Sequence, residues 1–328
     1  MRPFDYQRAE RLTHAAQLTA DPDTLALAGG TNLVDLMKLQ VETPQTLVDI
    51  GRLSMSAIDG AGEGDGLRIG ALATNTATAA DPRVRADYPV LARAILAGAT
   101  QQLRNKATTG GNLCQRTRCY YFTNIDQPCN KRAPGSGCGA IKGIARIHAV
   151  LGTSPHCIAT YPGDMAVAMA ALDATVEIAD GKGTRNVPVR DFHRLPGDTP
   201  ERDNVLEPGE IITAVTLPAP VGGTQLYRKV RERSSYAFAL CSVAAVIELA
   251  ENRFTRADLA FGGLAHKPWH DPRIADLLIG SEPSLALFDK AADLLLEDAQ
   301  GYGQNDFKIP LARRTLAAVL CGATGVEP

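Results

Sequence analysis

The sequence predicts an α+β protein built from two or three sub-domains. Its 328 residues are about twice the length of a typical domain. Hydrophobic residues make up 45% and charged residues 21%, values that suit folded cores and exclude global disorder or a coiled coil. Strand-like and helix-like apolar patterns also alternate along the chain, with different spacing in its different parts.

A small α/β unit is predicted for residues 1–55. Residues 24–28 are strand-like and lead through a Gly-Gly turn into residues 33–39, whose apolar side chains have helical spacing. A second short strand is expected at residues 46–50. The predicted unit is therefore a strand, a glycine turn, a helix and a further strand.

The second predicted unit covers residues 56–221 and mixes strands with helices. Strands are expected at residues 67–72, 175–178 and 211–217, and a buried helix at residues 164–172. A further helix is expected to begin at Asp81-Pro82 and to run to residue 95, because proline favours the first position of a helix.

A segment at about residues 114–160 interrupts this unit. It is rich in Pro, Gly, Cys and basic residues and has no long apolar run. Because compact domains rarely contain structureless segments of this length, we expect something other than a hydrophobic core to order it.

Residues 222–328 are predicted to form a C-terminal α+β domain, beginning at a Gly-Gly pair. Its expected strands lie at residues 227–230, 242–249 and 257–265, and its expected helices at residues 285–295 and 311–320.

The charge pattern excludes several kinds of partner. Lys and Arg total 34 against 36 Asp and Glu, so we expect no nucleic acid and no anionic membrane as a partner. The longest apolar stretch, residues 237–250, is shorter than the roughly 20 residues of a membrane span. Residues 1–10 carry charges throughout, and we expect no signal peptide.

Two glycine turns are candidates for ligand binding. Glycines let backbone N–H groups approach a phosphate closely, although a plain βα turn has the same pattern. Both turns contain Gly-Gly, Asn and Leu, and this recurrence favours the interpretation that they bind two parts of one elongated ligand such as a dinucleotide. Neither turn has the G-x-G-x-x-G spacing of a Rossmann fold. The candidate residues are Ala28, Gly29, Gly30, Thr31, Asn32 and Leu33 in the first turn, and Thr108, Thr109, Gly110, Gly111 and Asn112 in the second.

Five of the seven cysteines fall within residues 114–160 and suggest a metal site. Cys119, Cys129, Cys138 and Cys157 are separated by 9, 8 and 18 residues, wider than the usual zinc knuckles. Six basic residues and one acidic residue in this segment would offset the negative charge of a [4Fe–4S] cluster. Spacing alone leaves iron–sulfur, zinc and unligated thiols open. Neither a Ser/His/Asp set nor a carboxylate pair is recognisable, so we predict no catalytic residue.

Five motifs together resemble a known family and cover nearly the whole chain. They resemble the FAD-binding subunits of the xanthine dehydrogenase family of molybdenum hydroxylases, and most of all those of bacterial periplasmic aldehyde oxidoreductases. The motifs are Ala28-Gly-Gly-Thr-Asn-Leu33, Ile69-Gly-Ala-Leu-Ala-Thr74, Leu103-Arg-Asn-Lys-Ala-Thr-Thr-Gly-Gly-Asn112, Tyr161-Pro-Gly-Asp164 and Tyr227-Arg-Lys-Val-Arg-Glu-Arg233.

The resemblance implies a fold and an FAD site. The fold is a two-part FAD-binding domain like that of vanillyl-alcohol oxidase (PCMH type), followed by an α+β domain like the C-terminal domain of the carbon monoxide dehydrogenase flavoprotein. The first glycine turn would hold the pyrophosphate. Thr108 to Asn112 and Asp164 would contact the phosphate, ribityl or isoalloxazine part, with Lys229 as a further contact.

The same resemblance implies a [4Fe–4S] cluster in the inserted segment, as in the aldehyde oxidoreductase and 4-hydroxybenzoyl-CoA reductase branches. Its ligands would be Cys119, Cys129, Cys138 and Cys157, with Cys114 left out. If the cluster and flavin sites fold separately, Cys138→Ser should remove the cluster and spare the flavin.

The function implied is electron transfer within a heterotrimer. A molybdenum cofactor-binding large subunit would oxidise an aldehyde, a [2Fe–2S] small subunit would relay the electrons, and FAD would pass them to an external acceptor. One alternative is the flavin subunit of a xanthine dehydrogenase or a 4-hydroxybenzoyl-CoA reductase. Another is an interaction subunit without redox function whose cysteines bind structural zinc. Export to the periplasm would need a signal-bearing partner; without one we expect the cytoplasm.

Overall fold

The computed structural model describes residues 1–61 and 66–327, and within them the strands form three sheets. The strands are Asp5–Arg8 (β1), Thr24–Leu27 (β2), Thr46–Asp49 (β3), Ile58–Gly60 (β4), Leu67–Gly70 (β5), Thr175–Ala179 (β6), Thr184–Pro188 (β7), Ile211–Leu217 (β8), Thr224–Val230 (β9), Cys241–Ala250 (β10) and Arg253–Gly262 (β11).

The helices lie between and around these sheets. They are Leu12–Thr19 (α1), Leu33–Lys38 (α2), Asn75–Ala80 (α3), Pro82–Asp87 (α4), Pro89–Ala97 (α5), Gln101–Arg104 (α6), Thr109–Leu113 (α7), Tyr120–Thr123 (α8), Asp164–Ala171 (α9), Val189–Phe192 (α10), Pro272–Leu278 (α11), Leu285–Leu296 (α12) and Lys308–Thr324 (α13). No helix in the described ranges is both long enough and apolar enough to cross a membrane.

The first sheet is parallel, with the order β1-β3-β2. Parallel neighbours need a crossover connection, and α1 and α2 supply it. The glycine turn that follows β2 therefore lies at the carboxyl end of this sheet, where α/β folds commonly bind ligands.

The other two sheets are antiparallel. The central sheet has five strands in the order β4-β5-β8-β6-β7, and the third has the order β11-β10-β9. The helix α9 is entirely buried, and it packs on α5 and on β10 and β11 of the third sheet. Its run of Ala, Val and Met makes this burial possible.

One long predicted helix is instead two. The expected helix from Pro82 to residue 95 ends at Asp87, and α5 begins at Pro89. Proline has no N–H to donate to the preceding turn, and Tyr88 leaves the helical region with φ −128° and ψ 51°. The break lets the ring of Tyr88 enter the core, where it is 2% exposed.

The cysteine-rich segment forms its own small core. Apart from α8 it consists of turns, and Phe122, Ala140 and Ile158 pack there together with Cys119, Cys129 and Cys157. Leu36 of α2 joins this cluster. The segment is therefore packed against the unit that carries the first glycine turn.

Candidate functional site

The two glycine turns lie against each other. A Cβ atom on Gly29 would overlap the carbonyl oxygen of Lys106, which is just before the second turn. Gly30 has a φ of +73°, a value that glycine adopts without strain. Both glycines of the first turn are thus required by geometry, one for close approach and one for its backbone conformation.

Two cavities border these turns. Cavity 1 has a volume of about 400 Å³ and cavity 2 of about 600 Å³, and Thr31, Asn32 and Gly111 border both. Together they form an elongated cleft of the size that cofactor sites have. The predicted residues Ala28, Gly29, Gly30, Leu33 and Thr108 border cavity 1, and Asn112, Asp164 and Lys229 border cavity 2.

The two turns differ in the backbone groups that they leave free. In the second turn, the Thr109 and Gly110 N–H groups donate to the carbonyls of Ala73 and Ala71, and the Gly111 N–H donates to Thr108 Oγ1. In the first turn, the N–H groups of residues 29–32 donate to no acceptor within the described residues. Among the described residues the first turn therefore offers four open amides to a phosphate, whereas Thr109, Gly110 and Gly111 of the second turn offer none.

Thr109 and Gly110 lie behind the cavity wall rather than in it. Both are buried and face Ala71 and Ala73, and the hydroxyl of Thr109 donates to the Ala73 carbonyl at 3.1 Å. They fix the second turn on the central sheet.

Asn32 occupies the junction of the two cavities. Its Oδ1 accepts the Arg116 N–H at 2.9 Å, which fixes the orientation of the amide. Its buried Nδ2 has no hydrogen-bond partner among the described residues. A buried unpaired donor at the middle of the cleft fits a ligand with an acceptor there, such as a pyrophosphate.

Cavity 1 combines aliphatic and acidic side chains. Leu25, Leu27 and Leu206 form its apolar wall, and Glu201 and Asp203 border it. The buried Oε2 of Glu201 accepts no hydrogen bond within the described part of the chain. This environment suits a neutral ring and hydroxyl groups that can donate hydrogen bonds.

A buried ion pair borders cavity 2. Lys229 Nζ lies 2.8 Å from Asp164 Oδ2, and their side chains are 4% and 7% exposed. Tyr227 donates its hydroxyl to Asp164 Oδ1 at 2.6 Å, and burial followed by the charge of Asp164 raises the pKa of Tyr227 well above its usual value. Sequence reasoning missed Tyr227, although alternation along a strand puts residues 227 and 229 on one face.

Arginine and aromatic side chains complete cavity 2. Arg118 lies over the ring of Phe238 at 4.9 Å, and Arg233 and Tyr236 border the same space. Within the described residues the buried Nε of Arg118 has no partner. Arg233 ends the last family motif, whereas Tyr236 and Phe238 belong to no motif and could not be singled out before the fold was known.

All four predicted cysteine ligands border one small cavity. Its lining contains Cys119, Cys129, Cys138 and Cys157, and no Asp or Glu of the described residues borders it. Cys129 and Cys138 also form a β-bridge. Across the described residues none of the seven cysteines forms a disulfide. Burial raises the pKa of Cys119 to about 12 and that of Cys157 to about 11, so both thiols keep their protons unless a metal replaces them.

The thiols do not converge on one point. Among the described residues, no three His, Cys, Asp or Glu side chains lie close enough to hold a single metal ion. Each thiolate of a four-iron cluster binds a different iron, and four thiols around one cavity are the donor set such clusters use. Two of the thiols are in hydrogen-bond contact with histidines. His148 Nε2 lies 3.0 Å from Cys119 Sγ, and His266 Nε2 lies 3.3 Å from Cys157 Sγ.

Comparison with known proteins identifies the family. The family model of the FAD binding domain in molybdopterin dehydrogenase matches residues 2–220. The chain belongs to this family. A second model, the CO dehydrogenase flavoprotein C-terminal domain, matches residues 225–322. The predicted membership of the xanthine dehydrogenase family of FAD-binding oxidoreductase subunits and the predicted α+β fold class are therefore confirmed.

Relatives of this FAD-binding subunit cover it almost completely. It is 52% identical to the aldehyde oxidoreductase FAD-binding subunit PaoB of Escherichia coli K12, over 98% of this chain and 99% of the relative. It is 28% identical to the glyceraldehyde dehydrogenase medium chain of Sulfolobus acidocaldarius, over 85% of this chain and 82% of the relative. CO dehydrogenase from Oligotropha carboxidovorans has the same fold, with a TM-score of 0.77 over 99% of both chains at 23% identity.

Proposed function

We propose that this chain is the FAD and [4Fe–4S] electron-transfer subunit of a molybdenum-dependent aldehyde oxidoreductase. The observation that carries the proposal is the cleft that the two cavities form along the glycine turns, together with the four-cysteine cavity. The 52% identity to an aldehyde oxidoreductase subunit supports an aldehyde as the substrate of the complex, against 28% for xanthine dehydrogenase subunits.

FAD would lie along the cleft with its pyrophosphate at the first glycine turn. The open amides of that turn and Asn32 Nδ2 would donate to the phosphate oxygens. The adenosine would occupy cavity 1, where Glu201 can accept from a hydroxyl. The isoalloxazine ring would occupy the larger, aromatic and cationic cavity 2.

The residues of cavity 2 would orient the ring and balance its charge. An ammonium group has three N–H donors, and Lys229 uses two of them on Asp164 and on the carbonyl of Ala97. The third is left for an acceptor in cavity 2. Arg118 adds a second, half-buried cation, which favours negative charge on a bound ring.

Bound FAD would supply the exchange of one or two electrons, and a bound [4Fe–4S] cluster the exchange of single electrons. Cys119, Cys129, Cys138 and Cys157 would hold the cluster. The proposed partners are a molybdenum large subunit, a [2Fe–2S] small subunit and an external electron acceptor; relatives named as medium chains support a complex of this kind.

The division into residues 1–55, 56–221 and 222–328 belongs to the same proposal. It is supported by the three sheets, since among the described residues no strand of one sheet lies in the sequence range of another. The cleft would then be shared by all three units, because its lining runs from Leu25 to Phe238.

The test is the visible spectrum of the anaerobically purified chain before and after dithionite, with flavin and iron measured on the same sample. We expect flavin bands over a broad absorbance that bleaches, with one flavin and about four irons per chain. A colourless protein that contains zinc would overturn the redox proposal.

The ligand assignment has its own control. Cys138→Ser should lose the iron, whereas Cys114→Ser, which changes a cysteine outside the four-cysteine cavity, should keep it. Full iron content in Cys138→Ser would show that the cluster uses another ligand. Co-purification with aldehyde-oxidising partner subunits would test the complex, and activity on a purine instead would favour the xanthine dehydrogenase alternative.

A further inference from the structure

A chain of ion pairs connects the cysteine cavity to the cleft. Lys131, between Cys129 and Cys138, borders the cysteine cavity, and its side chain is 2% exposed. Its Nζ donates to Asp203 and to the carbonyl of Pro200 at 2.6 Å. Asp203 in turn borders cavity 1. One carboxylate thus touches a residue of the cysteine cavity and faces the cleft.

The same carboxylate also holds Arg116. Arg116 Nε donates to Asp203 Oδ2 at 2.7 Å, and Arg116 Nη1 pairs with Glu42, which follows α2. The backbone N–H of Arg116 fixes Asn32, the residue whose Nδ2 is open to the cleft. A continuous series of contacts therefore runs from Lys131 through Asp203 and Arg116 to Asn32.

The contacts of Asp203 with Lys131 and Arg116 are charged, so the position of each residue in the series depends on the position of the next. Burial raises the pKa of Asp203, but Lys131 and Arg116 outweigh it and hold that pKa below its usual value, so the carboxylate is charged. Removal of the Asp203 charge would leave the buried ammonium of Lys131 without its carboxylate, and an uncompensated buried charge is costly. Residues 114–160 have only a small apolar core, so the position of Lys131 depends on what orders the segment.

We propose that Asp203 is a positioning residue that makes FAD binding depend on an occupied cysteine cavity. An ordered cysteine segment holds Lys131 on Asp203, Asp203 holds Arg116, and Arg116 holds Asn32 in the orientation that binds the pyrophosphate. This rests on the proposed cluster. The sequence predicts that Cys138→Ser spares the flavin only if the two sites fold separately, and the coupling proposed here removes that condition.

The coupling is measured on the full chain by FAD fluorescence after removal of the flavin, with iron content determined in parallel. Couplings between sites commonly amount to a factor of about 5 to 150 in affinity. We expect Cys138→Ser, which loses the cluster, to weaken FAD binding by about fivefold or more. In an Asp203→Asn background, which removes the charge at constant shape, the same change should alter the affinity by less than about twofold.

The matched control is Glu177→Gln. Glu177 is a carboxylate paired with Arg68 at 2.6 Å, and it borders neither cavity 1 nor cavity 2. In this background the effect of Cys138→Ser should keep its full size. A purely structural role of Asp203 would lower the affinity in both cluster states equally and would leave the effect of Cys138→Ser unchanged.

The wild-type chain supplies a second measurement, the rate at which it loses cluster iron with and without FAD. Because coupling between two ligands is reciprocal, bound FAD should slow the loss of cluster iron to a chelator, and Asp203→Asn should abolish the protection. Equal iron loss with and without FAD, or an unchanged FAD affinity in iron-free Cys138→Ser, would overturn the coupling while leaving the proposed function intact. A wild-type chain without iron would instead defeat the proposed function.

Discussion

At the scale of single residues, Tyr161 and His193 hold the far end of the second glycine turn. Tyr161 donates its hydroxyl to the Asn112 carbonyl at 2.9 Å, and His193 Nε2 lies 2.8 Å from the Leu113 carbonyl. Their ring centroids are 4.1 Å apart, and both residues are buried. Because a carbonyl can only accept, Nε2 of His193 carries the proton.

Tyr161→Phe tests this support. The variant keeps the ring and loses one buried hydrogen bond worth about 1 kcal/mol, so we expect FAD affinity to fall about fivefold. Tyr88→Phe is the control, because its hydroxyl donates to the Pro218 carbonyl at 2.6 Å and it borders neither cavity. Both variants should lose stability, but only Tyr161→Phe should bind FAD more weakly; equal FAD dissociation constants would contradict the assigned role.

His193 also predicts a pH dependence. Burial lowers its pKa from 6.5 to about 4, so between these values the unfolded chain binds a proton that the folded chain does not. The contribution of neutral His193 is complete above pH 6.5 and is lost as the pH falls towards 4. Urea unfolding of His193→Gln should show a pH slope smaller than that of the wild type, by up to about 1.4 kcal/mol per pH unit. Parallel curves would contradict the low pKa.

At the scale of elements, the contact between the two glycine turns sets the shape of the cleft. Gly29→Ala places a Cβ on the Lys106 carbonyl and must push the turns apart. Overpacking of this kind costs about 1 to 3 kcal/mol, so we expect FAD affinity to fall about fivefold or more. Gly183→Ala, in open space between β6 and β7, is the control and should bind FAD normally. Normal binding by Gly29→Ala would show that the turns can separate without affecting the site.

How far the sequence predicts the elements depends on the strength of the local pattern. The strand at Ile211–Leu217 and the helix at Leu285–Leu296 carry clear apolar periodicity, and both were predicted within one residue. The break at Pro89 was missed, because the apolar spacing continues across it while the backbone cannot.

The site was predictable only where glycines or a family motif mark it. Both glycine turns were found, yet their unequal supply of free N–H groups depends on contacts with Ala71 and Ala73 that no local pattern encodes. Arg118, Glu201 and Asp203 come from segments without periodicity, and only the fold brings them to the cleft.

At the scale of the whole molecule, a buried lysine joins the C-terminal domain to the cysteine segment. Lys308 begins α13 and is fully buried, and its Nζ donates to the carbonyls of Ile147, His148 and Gly263 at 3.2, 2.9 and 2.6 Å. Only an ammonium can donate three such bonds, although burial lowers the pKa of Lys308 to about 7.

Lys308→Met should loosen this junction. The variant fills similar volume but leaves three carbonyls short of a donor, so we expect the free energy of unfolding to fall by about 2 to 4 kcal/mol. Hydrogen exchange should rise first at residues 147–151. Lys290→Met, on the exposed face of α12, should leave both stability and exchange unchanged. Unaltered exchange at residues 147–151 in Lys308→Met would contradict a joining role.

The span of the cleft lining along the chain also fixes when the cofactor can be loaded. The wall begins at Leu25 and is completed only by Phe238, close to β10. During synthesis, the growing chain must therefore extend well past residue 238 before the ribosome has released every part of the wall. We therefore expect capture of the complete flavin to be a late event, after the N-terminal sheet has been synthesised.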